Sequence, residues 1–249
     1  MYLETKNLCK FFGGLKAVDQ VDFQVKEGQL KSIIGPNGAG KTTFFNLLCG
    51  FYPPTSGRIH FLGKDITEKK MNQISQAGLT KTFQITHMFP RLSVFENVRI
   101  SAQSRTTSFN FWKKADDFSE INEKTSEILE QVKLSDRKDR LASTLSHGER
   151  KYLEIGIALA TNPRLLLLDE PTAGMSPAET VLAMDLIRNL RNRLNLTILL
   201  VEHDMNVVMN ISDEVVCLNE GQVLACGTPR EISCNEVVQR VYLGGPKAC

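Results

Sequence analysis

The chain has 249 residues, 42% hydrophobic and 23% charged, and its 30 basic against 28 acidic side chains leave a formal net charge of +2. That composition is too apolar for a disordered chain and too near neutrality for the general basic footprint of a nucleic-acid binder, so a globular protein of one or two domains and no nucleic-acid partner are expected. No apolar run is long enough to span a bilayer as a helix, since 165–168 meets Asp169 and Glu170 at once and 196–201 is broken by Thr197 and closed by Glu202. Glu4, Lys6 and Lys10 interrupt the start, which leaves no signal-peptide core and predicts a cytoplasmic chain. Cys9, Cys49, Cys217, Cys226, Cys234 and Cys249 show neither C-x-x-C spacing nor the density of a disulfide framework, so they are read as packing or surface residues.

The first sixty residues alternate with a period of two. Val21, Phe23 and Val25 face one way while Asp22 and Gln24 face the other, an apolar strand runs over Leu30–Ile34, and another covers 58–62. A helix over Lys41–Leu48 is embedded among these strands. From 93 to 160 the spacing becomes helical, with Ile121, Ile128, Leu129, Val132 and Leu134 marking one amphipathic helix. The polar segment 104–117 holds Trp112, the only tryptophan, beside Phe109 and Phe111, and is read as an inserted loop or short helix pair. Beyond it strands over 165–168, Thr197–Val201 and 214–218 alternate with helices over 177–193 and 204–210. Short apolar strands separated by helices predict a parallel sheet with helices on its faces. The fold class is therefore α/β, built from both ends of the chain, with a helical subdomain inserted between.

The strongest chemical signal is Gly35-Pro36-Asn37-Gly38-Ala39-Gly40-Lys41-Thr42, followed by Thr43, which fits G-x-x-x-x-G-K-[ST] between a strand and a helix. Glycines let the backbone wrap so that its N–H groups face phosphate oxygens, and the helix N-terminus favours negative charge. Lys41 is placed to neutralise phosphate, and the Thr42 hydroxyl to bind Mg²⁺. The strand 165–168 ends in Asp169 and Glu170, at the end of the strand where ligands gather in such sheets. Asp169 suits a magnesium-holding carboxylate and Glu170 a base that polarises water, although the pair taken alone fits a helix-capping turn. Leu145-Ser-His-Gly-Glu149 precedes an apolar-periodic helix, so Ser146 and Glu149 form a capping box, and Gly148 bares the backbone of the first turn as a second anion site.

Taken together, Gly35 to Thr42, Gln84 in Thr82-Phe-Gln84, Leu145 to Glu149, the strand ending in Glu170, and His203 in Val201-Glu-His-Asp204 resemble the ordered motifs of ATP-binding-cassette ATPases over nearly the whole chain. Phe12-Gly-Gly-Leu-Lys-Ala-Val18, Ala173-Gly-Met-Ser-Pro-Ala-Glu179, the insertion around Trp112 and Tyr242-Leu-Gly-Gly245 are similar to the ATP-binding subunit of branched-chain amino-acid importers. The resemblance implies a P-loop NTPase with a RecA-like core and an N-terminal antiparallel β-subdomain over about 1–85 and 163–249, and a helical subdomain over about 86–162. It implies ATP and Mg²⁺ as ligands, with Phe12 stacking on adenine, and Gln84 touching Mg²⁺ and the attacking water while linking them to a membrane partner. Ser146 and Gly148 would bind the γ-phosphate held by an opposite subunit, and His203 would contact the same phosphate.

The implied assembly is a head-to-tail dimer with itself or a paralogue, peripheral on the inner face of the cell membrane, with permease subunits and an extracytoplasmic solute-binding protein in the same system. The groove from Gln84 to Arg91, with His87, Met88 and Phe89, is where a permease would touch. Two departures stand out: His147 and Glu149 replace the glycine and glutamine common in the signature, and Ser176 stands where most relatives carry aspartate, leaving any cross-subunit contact there open. Lipid or lipopolysaccharide export, and a soluble cassette outside transport, remain alternative functions.

Overall fold

The computed structural model describes residues 1–82, 88–104 and 119–242. At its centre lies strand β3 (Leu30–Ile34), every residue of which is buried. A strand covered on both faces needs no polar alternation, which is why the central strands read as unbroken apolar runs. β3 lies between β9 (Glu214–Asn219) and β8 (Thr197–Val201), and the sheet continues through β7 (Leu165–Asp169) to β6 (Leu79–Lys81), all in parallel. β10 (Gln222–Gly227) closes the other edge antiparallel to β9, giving the order β10-β9-β3-β8-β7-β6.

Successive side chains along these strands enter two different cores. Leu165 and Leu167 of β7, with Leu199 and Val201 of β8, pack beside Phe44 and Phe45 of helix α1 (Lys41–Leu48). Leu166, Leu168, Ile198 and Leu200 face the other way, toward α6 (Pro177–Leu194) and helices α3 (Val94–Gln103), α4 (Ser119–Gln131) and α5 (His147–Ala160). The inserted helices thus share one continuous core with the sheet. Beyond α1 a four-stranded antiparallel sheet has the order β2 (Leu15–Val25), β1 (Leu3–Phe12), β4 (Ser56–Phe61), β5 (Lys64–Asp65). Val21, Phe23 and Val25 are buried there and Asp22 and Gln24 exposed, and Phe23 meets Phe44 edge-on at 5.1 Å. Helix α2 (Met71–Gln76) precedes β6. Helix α7 (Met205–Ile211) joins β8 to β9, and α8 (Pro229–Ser233) and α9 (Glu236–Val241) close a third apolar cluster around Val208, Val215, Ile232 and Val238.

Several expectations need correction. β6 and β10 have no apolar run to announce them, because an edge strand has one open side and tolerates residues such as Thr80 and Gln222. Met88, expected among the residues a permease would touch, is 9% exposed and packs into the core while also lining a cleft between α2–β6 and α3–α5, whereas Phe89 is 53% exposed. Cys9, Cys49 and Cys217 are free and buried and Cys226 free and exposed, but Cys234 is disulfide-bonded, contrary to the reading of all six as packing or surface residues. Trp112, Phe109, Phe111, His87 and Gln84 lie outside the described residues. Among those described, no helix is long and apolar enough to cross a membrane.

Candidate active site

The loop after β3 is held open by backbone geometry that only glycine accepts. Gly35 has φ 147°, and a Cβ there would lie 2.1 Å from the Leu218 carbonyl oxygen; Gly40, at φ 96°, would meet the Ala17 carbonyl oxygen at 2.3 Å. Neither neighbour can retreat, since both oxygens belong to backbone. Gly40 is also the residue before α1, so the loop ends on that helix's first-turn N–H groups. Lys41 is 6% exposed, and its ammonium donates to the carbonyls of Gly35 at 2.7 Å and Pro36 at 2.9 Å. Burial pulls its pKa below the ordinary lysine value, and the negative charge of Glu170 opposes that shift. Asn37, Gly38 and Thr42 are exposed, whereas Ala39 is buried and its carbonyl accepts from Gly221 N.

Asp169 and Glu170 follow at the end of β7. With β8 between them, β7 and β3 are two strand spacings apart, about 10 Å, so both segments share the carboxyl edge of the sheet. Asp169 is buried and neither of its carboxylate oxygens accepts a hydrogen bond; the Lys81 ammonium lies 3.0 Å from Oδ2 but off hydrogen-bonding line. Two buried carboxylate oxygens without a hydrogen bond, on the same edge of the sheet as the exposed Thr42 hydroxyl, are a donor set that suits Mg²⁺. Glu170 turns away through a positive φ of 50°, its N–H donating to the Val201 carbonyl, and its Oε1 accepts from His203 Nε2 at 2.8 Å. The structure therefore brings Glu170 and His203 into direct contact.

That contact rests on a residue that sequence reasoning overlooked. Glu202 is 3% exposed and accepts from Thr172 N at 3.0 Å, Thr172 Oγ1 at 2.7 Å and His203 N at 3.1 Å. It ties the segment after Glu170 to the segment carrying His203. A charged residue closing an apolar strand is the only trace of it in the sequence. On the other side of this segment the Tyr242 hydroxyl, its pKa pushed up to about 12 chiefly by burial, donates to the His203 carbonyl at 3.3 Å.

Phe12 ends β1 with 42% of its surface exposed, edge-on to Tyr52 at 5.4 Å and with Lys10 Nζ 5.1 Å from its ring centroid. Ser146 caps α5, accepting from Glu149 N at 3.2 Å while Glu149 Oε2 accepts from Ser146 N at 2.8 Å. His147 Nε2 donates to the Ala173 carbonyl at 2.9 Å, and a Cβ on buried Gly148 would approach Glu179 Oε1 to 3.3 Å. Among the described residues no hydrogen bond or ion pair joins the 146–149 segment to the 35–43 loop. Ser176 caps α6 with Glu179 in the reciprocal arrangement, and Pro177 holds the first helical position.

A phosphate-cradling loop between strand and helix, facing carboxylates at one edge of a parallel sheet, defines a nucleotide-hydrolysing P-loop protein. A family model described as ABC transporter matches residues 18–173, and one described as branched-chain amino acid ATP-binding cassette transporter matches residues 222–248. The high-affinity branched-chain amino acid transport ATP-binding protein BraF of Pseudomonas aeruginosa is 44% identical over 249 residues, with 97% of each chain covered. LivG of Escherichia coli, described in the same terms, is 42% identical over 248 residues with the same coverage. The ADP conformation of MJ1267, an ATP-binding cassette of an ABC transporter, superposes with a TM-score of 0.88 at 35% identity over 98% of each chain. A dimeric post-hydrolysis structure of the cassette MJ0796, bound to ADP and Pi, gives 0.79 at 25% identity, covering 92% of this chain and 99% of that one. The chain belongs to the ABC transporter family. It is an ATPase, using ATP and Mg²⁺, whose hydrolysis is coupled to transport.

Proposed function

We propose that this chain is the ATP-hydrolysing subunit of a membrane importer for branched-chain amino acids or related small molecules. The observation that carries the proposal is the end-to-end match to branched-chain amino acid transport ATP-binding proteins, reinforced by the separate match of residues 222–248. The import system comprises two ATPase subunits, permease subunits and an extracytoplasmic solute-binding protein, with this chain on the inner face of the membrane. Its core and β-subdomain occupy about 1–85 and 163–249, and the helical subdomain about 86–162.

In this reading the amides of residues 35–43 and the Lys41 ammonium hold the phosphates, and the exposed ring of Phe12 stacks on the adenine. Thr42, Asp169 and Gln84 would hold Mg²⁺, which when bound neutralises charge on the phosphate oxygens. Glu170 accepts the proton of the attacking water, and His203 orients Glu170 through the 2.8 Å bond and reaches toward the terminal phosphate. Ser146 and Gly148, unconnected to their own chain's loop, complete the site of the facing subunit. The reaction then needs little covalent work from the protein beyond positioning and charge stabilisation.

A cleft of about 310 Å³ supports the permease contact. It is lined by Met71, Leu79, Met88, Ile157 and Ala158, with Glu154 among its polar residues, and opens between α2–β6 and α3–α5; Thr82 and Met88, which flank residues 83–87 in the sequence, also line it. An apolar cleft of this kind suits the end of a membrane-domain helix.

Uptake of radiolabelled leucine, isoleucine and valine by a deletion strain tests the proposal. Uptake is expected to fall and to return with the wild-type chain but not with Glu170→Gln, whose phosphate release should drop by about 10²- to 10⁴-fold. Unchanged uptake, with lipid or lipopolysaccharide accumulating in the inner membrane instead, would assign the chain to export.

A further inference from the structure

Lys81 is a buried cation to which the hydrolytic chemistry gives no role. It ends β6 in register with Leu167, and its side chain, 6% exposed, reaches Asp169 at the end of β7, whose side chain is 0% exposed. Its Nζ lies 3.0 Å from Asp169 Oδ2, donates to Asn46 Oδ1 of α1 at 3.0 Å, and sits 5.7 Å from the Phe45 ring centroid. Burying an ammonium and a carboxylate is costly unless each compensates the other. Here the compensation is almost purely one of charge, because neither oxygen of Asp169 accepts a hydrogen bond.

We propose that Lys81 is a positioning residue that acts as a resident counter-ion to Asp169, competing with the divalent cation for that carboxylate and so limiting how tightly metal–nucleotide is retained. The proposal rests on the reading of Asp169 as a magnesium-holding group. A carboxylate shared by an ammonium and a divalent cation holds each less tightly than it would hold either alone, because the two cations repel across a few ångströms of poorly screening interior. When metal–nucleotide departs, the ammonium stays beside Asp169 as its charge partner, ready for the next round. The same ammonium joins α1, β7 and β6, and β6 leads within three residues to Gln84.

The test measures ADP affinity of the full-length chain by calorimetry, once with Mg²⁺ and once with EDTA. The ratio of the two affinities is the metal enhancement. In Lys81→Met and Lys81→Gln the enhancement should rise by at least about tenfold, because the repulsion between ammonium and divalent cation is gone, and Lys81→Arg should keep the wild-type value. An enhancement unchanged or diminished in both neutral variants overturns the counter-ion role. Asp169→Asn separates this from the underlying reading: it should abolish the enhancement, and an enhancement that survives it removes the metal role of Asp169 and the proposal with it. Should Lys81→Met fail to fold, the Lys81→Met, Asp169→Asn double variant is expected to fold, since it buries no uncompensated charge, and Lys81→Gln, whose amide still donates, carries the affinity measurement. A double variant no more stable than Lys81→Met overturns the pairing itself.

Discussion

Glu202 shows how much of an active site can depend on a side chain that never meets the reactants. Its carboxylate gathers the N–H and hydroxyl of Thr172 and the N–H of His203, holding together the two segments whose side chains, Glu170 and His203, touch at 2.8 Å. Hydrogen bonds to a buried charged group contribute about 1.5–3 kcal/mol each, and a buried donor left unpaired adds a desolvation cost. Glu202→Ala is therefore expected to lose at least about 3 kcal/mol of stability in urea denaturation and to slow phosphate release, since His203 is no longer fixed against Glu170. Glu202→Gln retains an acceptor oxygen and should lose markedly less. Equal losses in the two variants would show that volume, not hydrogen bonding, matters at this position. Lys81 belongs to the same class of buried, supporting charge, but acts on the metal-side carboxylate.

At the scale of elements, four helices, α3, α5, α6 and α8, begin with the same device. Ser93, Ser146, Ser176 and Thr228 each cap a helix while a glutamate three residues on bonds back to the cap N–H, so two otherwise orphaned donors are satisfied at once. Ser176 serves the 18-residue α6, the connection between β7 and β8. Ser176→Ala should cost about 1 kcal/mol, and Ser176→Asp only a few tenths, because aspartate caps about as well as serine. If Ser176→Asp alters ATP turnover while leaving stability unchanged, the position acts across subunits as well as on its own helix. The glutamates of three boxes, Glu149, Glu179 and Glu231, have pKa values held below the ordinary 4.5, first of all by the backbone N–H of the cap residue. Their folded pKa values lie below the unfolded ones, so the unfolded chain binds more protons in acid. The stabilisation is then complete above the ordinary glutamate range and lost as pH falls through the folded values. Glu179→Gln should show a shallower acid decline in thermal midpoint than wild type.

For the whole molecule, the arrangement of the two helix starts proposed to bind phosphate matters most. The 35–43 loop opens at the carboxyl edge of the parallel sheet, whereas Ser146 and Gly148 lie at the start of α5 and reach their own chain's nucleotide loop through no hydrogen bond among the described residues. In the function proposed above, one chain offers half of each of two sites. Glu170→Gln with Mg²⁺ and ATP should accordingly shift from monomer to dimer in light scattering, alone or mixed with a paralogous cassette, and EDTA should reverse it. Association with neither would count against the shared site. At the far end of the chain Tyr242 bonds the His203 carbonyl, so the terminal segment matched by the branched-chain family model physically touches the catalytic edge.

The division between what the amino-acid sequence determines and what folding adds follows the range of the forces involved. Runs such as Leu165–Asp169, the glycines of the 35–40 loop and the Ser–Glu capping boxes specify their structure through neighbours a few residues away, so the α/β class, the phosphate loop, Asp169, Glu170 and the start of α5 are all legible in one dimension. Register and burial depend on segments far apart in the chain. The edge strands β6 and β10, the descent of Met88 into the core, the three bonds of Glu202 and the pairing of Lys81 with Asp169 exist only once the sheet has aligned β6, β7 and β8. A lysine or a glutamate is soluble everywhere in the unfolded chain; only the tertiary structure decides which one is buried, and which opposite charge or donor makes that burial tolerable.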